Sequence, residues 1–312
     1  MKDDARRPTR WWLHISLFFT TCATTFYAGC YSGGGFSLRD GAMFSSAIMG
    51  ILLVHEMAHF LAARWHQVDA SLPYFIPMPL PPIGTFGAVI QMREVPKTRT
   101  AVLDIGVSGP LAGMLVAVPV CFVGLLYSEV QAISELPAGA IMEGNSLLYL
   151  AMKALAKPQL LPGQDVFLHP LAWAGWIGLL VTSLNLLPAG QLDGGHILYA
   201  LVGGSRHEQV ARWVRRIVLV MGLVGLVCTF LPLIDSADQI VKEAGMGGLM
   251  LRGSGMTPWI VWALLLRFVG KGHPPVHDED QRLGLGRRSL AWLALVVLVV
   301  TLTPVIWSPV VS

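Results

Sequence analysis

Residues 101–127 carry one charge, Asp104, in a run longer than the ~20 residues that cross a bilayer as a helix. Further apolar runs cover Trp11–Cys30, Gly41–Trp65, a stretch from Phe167 that breaks at LPAGQLDGG and resumes as HILYALVGG, a stretch ending near Leu233, and Ser289–Trp307. A soluble domain cannot hide so many such runs. The composition agrees: 13% of residues are charged, about half the quarter usual in soluble domains. The expectation is an all-α polytopic membrane protein of about six to seven transmembrane helices.

Between the second and third runs lies LPYFIPMPLPPIGTFGAVIQM. Pro73, Pro77, Pro79, Pro81 and Pro82 exclude a helix in its first half, because each removes a donor and fixes φ. Thr85–Met92 reads as one strand of a hairpin whose turn includes Gly84. Non-helical backbone at membrane depth is tolerated only where protein buries it or it lines a water-filled cavity, so a membrane-associated β-hairpin beside a cavity is expected. Gly106, Gly109 and Gly113 sit at helix-packing spacing in the third run. Between Ser128 and Gln164, SLLYLAMKAL predicts a short amphipathic helix.

Basic residues set the orientation. Lys2, Arg6, Arg7 and Arg10 precede the first run, and later basic groups (Arg64 to Arg99, Arg206 to Arg216, Lys271 to Arg288) fall on the same side only if Trp259–Val269 also crosses. The opposite loops hold Glu129, Glu135, Glu143, Asp235 and Asp238. The N-terminus is therefore expected in the cytoplasm, in a bacterial cytoplasmic membrane. The chain reads as one domain over 1–312, with a catalytic core at about 41–204 and C-terminal helices at about 213–307. Trp11, Trp12, Trp213, Trp259 and Trp307 read as interfacial anchors. The four cysteines lie in or beside apolar segments and form no C-x-x-C pair, so neither a disulfide framework nor a thiolate site is implied. A net charge of +3 with no basic cluster interleaved with aromatics gives no footprint for nucleic acid.

Ionisable residues inside such runs are costly and mark function by default. The second run contains H-E-x-x-H at His55, Glu56 and His59. Positions i and i+4 share one helix face, so both imidazoles can reach one tetrahedral Zn²⁺ while Glu56 takes a proton from water. A hydrolytic zinc site wants a third protein ligand, and Asp193, beside Pro188, Gly190, Gly194 and Gly195, is the best candidate. Asp193 could instead cap the helix that follows it. His196 reads as a structural neighbour of the site, and His14 and His66 as interfacial.

HEMAH on the second run and N-x-x-P-x-x-x-x-D-G at Asn185–Gly194 resemble the site-2 protease family of intramembrane zinc metalloproteases. PYFIPMPLPPIGTFGAVI, SGPLAG, EGNSLLY and HPPV are similar to its plant and bacterial branch. The resemblance implies Zn²⁺ held by His55, His59 and Asp193, Glu56 as catalytic base, and Asn185 holding the substrate or the developing oxyanion. It also implies membrane-anchored protein substrates cut in or near their transmembrane segments. No segment is long enough for the PDZ or CBS modules of some members. Two rival readings are a catalytically silent relative that binds membrane helices, and a metal transporter using the same residues.

Overall fold

The computed structural model describes residues 10–136, 141–231, 253–269, 274–276, 278 and 282–309. Lys2, Arg6, Arg7, Asp235, Asp238 and Lys271, on which part of the orientation rests, lie outside the described residues. Among the described residues the protein is mostly helical with three small two-stranded sheets.

Helix α1 (Trp11–Gly29) is followed by α2 (Leu38–Trp65), which starts earlier than its apolar run because Ser37 Oγ accepts from Asp40 N. Strands β1 (Tyr74–Pro77) and β2 (Thr85–Val89) pair antiparallel and turn at Gly84, whose φ of 79° suits glycine. The proline-rich half is thus the partner strand of the expected hairpin. It lies along α1: His14 Nδ1 approaches Pro73 O, Phe18 meets Phe75 edge to face, and the turn presses on Thr24. From His14 to Thr24 is about 15 Å at 1.5 Å per residue, so the hairpin reaches well into the depth of the bundle. His14 is therefore buried in a hairpin contact.

Helix α3 (Arg99–Tyr127) begins at Thr98, whose side chain accepts from Ala101 N. It packs on α2 and on α5 (Pro170–Asn185). The closest approaches use Gly124 against Ala172 and Gly175 against Cys121, where a Cβ would overlap the opposing backbone. Between α3 and α5 come β3 (Glu129–Ala132), β4 (Ile141–Glu143), α4 (Leu147–Ala156) and β5 (Gln164–Phe167), and β3 pairs with β5. Lys153 of α4 is buried here, 2.9 Å from Glu143 and 2.6 Å from Asp165, while Tyr149 donates to Glu143 at 2.7 Å. Burial alone would pull the Lys153 pKa down; the two carboxylates outweigh it and hold the pKa above its ordinary value.

After α5 the chain breaks at residues 186–192, where Pro188 and Gly190 (φ 57°) interrupt the helix, and resumes as α6 (Asp193–Val202). Gly203 turns it into α7 (Gly204–Phe230), one continuous helix. Helix α8 (Pro258–Val269) packs on α7, and α9 (Leu285–Thr301) packs on α3, α5 and α6. The last apolar run does not stay helical to Trp307. Pro304 disfavours helix at the preceding residue, and Trp307–Pro309 form β6, paired with β4.

Among the described residues, α2, α3 and α7 are long and apolar enough to cross a membrane. Helix α8 has 12 residues, about 18 Å of rise, against a hydrocarbon core of ~30 Å. Alone it does not reach across. Its Trp259 is buried and donates to Pro304 O at 2.6 Å, so the reading of Trp259 as an interfacial anchor is corrected; the end of the α9 segment occupies that face. Trp11, Trp12 and Trp213 are exposed.

Candidate metal centre

His55 and His59 lie on one face of α2 and are buried, a consequence of their i, i+4 spacing and of the small residues of α3 opposite. His59 Nδ1 lies 2.7 Å from Ile105 O. A carbonyl can only accept, so Nδ1 carries the proton and the Nε2 lone pair is left free to bind a metal. That Nε2 lies 3.1 Å from His55 Nε2 and 3.2 Å from Asp193 Oδ2, and His55 Nε2 lies 3.3 Å from the same oxygen.

These three atoms form a nearly equilateral triangle. Tetrahedral geometry with bonds of about 2.0–2.1 Å places ligand atoms about 3.3–3.4 Å apart, so the donors fit one face of a zinc tetrahedron. Among the described residues this is the one group of three or more His, Cys, Asp or Glu side chains able to hold a metal. Asp193 does not cap α6: Leu192 occupies the cap position, and the Asp193 carboxylate turns to the histidines. Its backbone gets there through the break, which packs so tightly that a Cβ at Gly194 or Gly195 would overlap carbonyl oxygens of residues 186 to 190.

Glu56 is buried beside the triangle, close enough to His59 and Asp193 to feel their charges, and the backbone N–H of Ile90 faces its carboxylate. Asn185, the last residue of α5, brings Nδ2 to 3.5 Å from His55 Nε2. The structure therefore gathers His55, Glu56, His59, Asn185 and Asp193 in one place. His196 packs by its Cβ against Gly106 of α3.

Three features of the site were not legible beforehand. Gly109 and Gly113 leave room for imidazoles rather than for a helix backbone, since a Cβ at Gly109 would overlap the His59 ring and one at Gly113 would lie 3.0 Å from His55 Nδ1. Gly106 alone of the three glycines serves helix packing, against α6. The Ile105 carbonyl, a backbone group, has no sequence signature at all. Small residues spaced for close approach were the available signal, and spacing does not say what approaches.

The family model for Peptidase family M50 matches residues 43–229, a stretch that includes all five of these residues. The chain belongs to peptidase family M50. Similar proteins include "Probable zinc metalloprotease EGY1, chloroplastic" of Arabidopsis thaliana, 32% identical over 261 residues, which are 83% of this chain and 42% of that protein. "Probable zinc metalloprotease EGY2, chloroplastic" of Oryza sativa subsp. indica is 30% identical over 193 residues, 62% of this chain and 34% of that protein. This M50 chain thus spans less than half the length of either relative. No solved structure matches it. The names place those relatives in chloroplasts, which conflicts with the bacterial cytoplasmic membrane expected from sequence. What stands is an integral membrane protein of family M50.

Proposed function

We propose that the chain is an intramembrane zinc metalloprotease that hydrolyses peptide bonds in or near transmembrane segments of membrane-anchored proteins. The observation that carries this reading is the donor triangle of His55, His59 and Asp193, set among apolar helices with both histidines buried, Asp193 half-buried and the buried Glu56 carboxylate beside it. When bound, zinc supplies Lewis acidity that activates water and polarises a carbonyl. The residues do the rest. The Ile105 carbonyl holds the His59 tautomer, Glu56 takes the proton from the attacking water and returns one to the leaving amine, and the Asn185 amide donates toward developing negative charge.

Glu56 lies nine residues before the exposed Trp65, about 13 Å below the inner end of α2, so water needs a route from that side. A helical substrate hides its carbonyls and must unwind. The β1–β2 hairpin, whose next residue faces Glu56, would hold the unwound segment extended by strand addition. The same reading keeps one membrane domain with its core at about 41–204 and six to seven crossings in all. A silent helix-binding relative has no use for a buried Glu56. A transporter favours paired broken helices, and among the described residues α5–α6 is the one such break.

The test is a pair of variants in proteoliposomes with a model transmembrane substrate. Glu56→Gln should keep its zinc and lose cleavage by roughly 10² to 10⁴, the usual value of a positioned general base. Asp193→Ala should lose zinc as well. Unimpaired cleavage by Glu56→Gln refutes the base, and full zinc occupancy in Asp193→Ala refutes the third ligand.

A further inference from the structure

The inner end of α2 is tied to α3 and α9 through one carboxylate. His66, the residue that ends α2, places Nε2 at 2.9 Å from Asp104 Oδ2. Arg287, in the first turn of α9, grips the same group with both arms of its guanidinium, Nε at 3.0 Å from Oδ1 and Nη2 at 3.0 Å from Oδ2. A bidentate fork of this kind fixes direction as well as distance. The residue after Asp104 is Ile105, whose carbonyl accepts from His59 and, at 2.8 Å, from Ser108 Oγ.

The helical ladder of α3 has a gap next to that carbonyl. Pro110 has no N–H, so the carbonyl four residues earlier, at Gly106, loses its helical donor. The ladder is therefore weakened immediately after Ile105, and the tie to α2 and α9 lies immediately before it. Neither Asp104 nor Arg287 touches the donor triangle.

We propose that Asp104 is a positioning residue for the metal centre. Clasped by Arg287 and His66, it fixes the start of α3 so that the Ile105 carbonyl holds the His59 ring with Nε2 toward the metal. The strength of metal binding then depends on α9 being docked on α3. This rests on His59 being a zinc ligand, and the experiment separates the two ideas.

The dissociation constant for zinc is measured by chelator competition on the purified full chain in detergent, together with the visible spectrum of the cobalt(II)-substituted protein. The variants are Asp104→Asn, Arg287→Gln, their double, His59→Ala, and Arg215→Gln, which breaks the Arg215–Glu208 pair on α7. Removing a partner that orients a ligand typically weakens metal binding 10- to 100-fold. Acting one step further out, Asp104→Asn and Arg287→Gln are each expected to weaken zinc about 10-fold and to alter the cobalt bands. The double should cost no more than either single, and Arg215→Gln should match wild type. A clasp that served only to stabilise the fold would lower the unfolding midpoint and leave the zinc constant and cobalt bands unchanged; that result overturns the proposal. Arg287 is 44% exposed, so its variant keeps the test open even where Asp104→Asn folds poorly. Zinc retained in His59→Ala would instead sink the underlying metal assignment, and the proposal with it.

Discussion

Replacing Gly109 with alanine would put a methyl carbon into the space of the His59 ring, 2.5 Å from Cε1 and nearer still to Nε2. Carbon atoms in contact sit about 3.5–4.0 Å apart, so the ring would have to retreat by about 1 Å. It cannot do so and keep the 2.7 Å bond to Ile105 O, because that carbonyl is one turn away on the same helix as the new methyl. A misplacement of about 1 Å at a reacting centre can cost about 100-fold in rate. Gly113→Ala brings its carbon to 3.0 Å from His55 Nδ1, a conflict relieved by a few tenths of an ångström, so its loss should be far smaller. Gly50→Ala on α2 meets nothing within 4 Å and serves as control. Intrinsic propensity runs the other way, since alanine stabilises a helix interior over glycine by roughly 1 kcal/mol. An account based on helix stability alone therefore ranks all three variants as neutral or better. The assay is zinc stoichiometry and cleavage of a model transmembrane substrate across the series. The steric reasoning requires the order Gly50→Ala, Gly113→Ala, Gly109→Ala from mildest to most severe, and a Gly109→Ala protein with wild-type zinc and activity would refute it.

Two further outcomes are expected. Cysteines placed at Phe86 or Val89, both exposed on β2, should cross-link to a bound transmembrane substrate in a Glu56→Gln background, and one at Leu115, exposed on α3, should not; equal cross-linking at all three would place the substrate elsewhere. A proline at Ile90 is a poorer probe of the hairpin, because the Ile90 N–H faces Glu56 and its removal would alter the base as well. Lys153→Met should destabilise the fold by about 3–5 kcal/mol, because Glu143 and Asp165 would be left without their cation, and unfolding in detergent monitored by tryptophan fluorescence reads the loss. A Lys153→Met protein as stable as wild type would show that those carboxylates find water or another donor.

Local chemistry was enough for several elements of this protein. Runs of bilayer length predict α1, α2 and α3, prolines and Gly84 predict the hairpin, and Pro188 with its neighbouring glycines predicts the break before α6. The i, i+4 spacing puts His55 and His59 on one face wherever α2 happens to lie, because helix geometry is local. What remained open from residue chemistry depended on distant packing. Asp193 could cap its own helix or turn away from it, and only the seating of α6 against Gly106 directs its carboxylate to histidines more than 130 positions earlier. The glycines at 109 and 113 carry the same spacing whether they face a backbone or an imidazole, and the assembled bundle decided for the imidazole. The strands between α3 and α5 escaped prediction because they are three or four residues long and gain their order from pairing, β4 with the far end of the chain. The tautomer of His59 is set by a backbone carbonyl of α3, and no side chain in the sequence announces where a carbonyl will point.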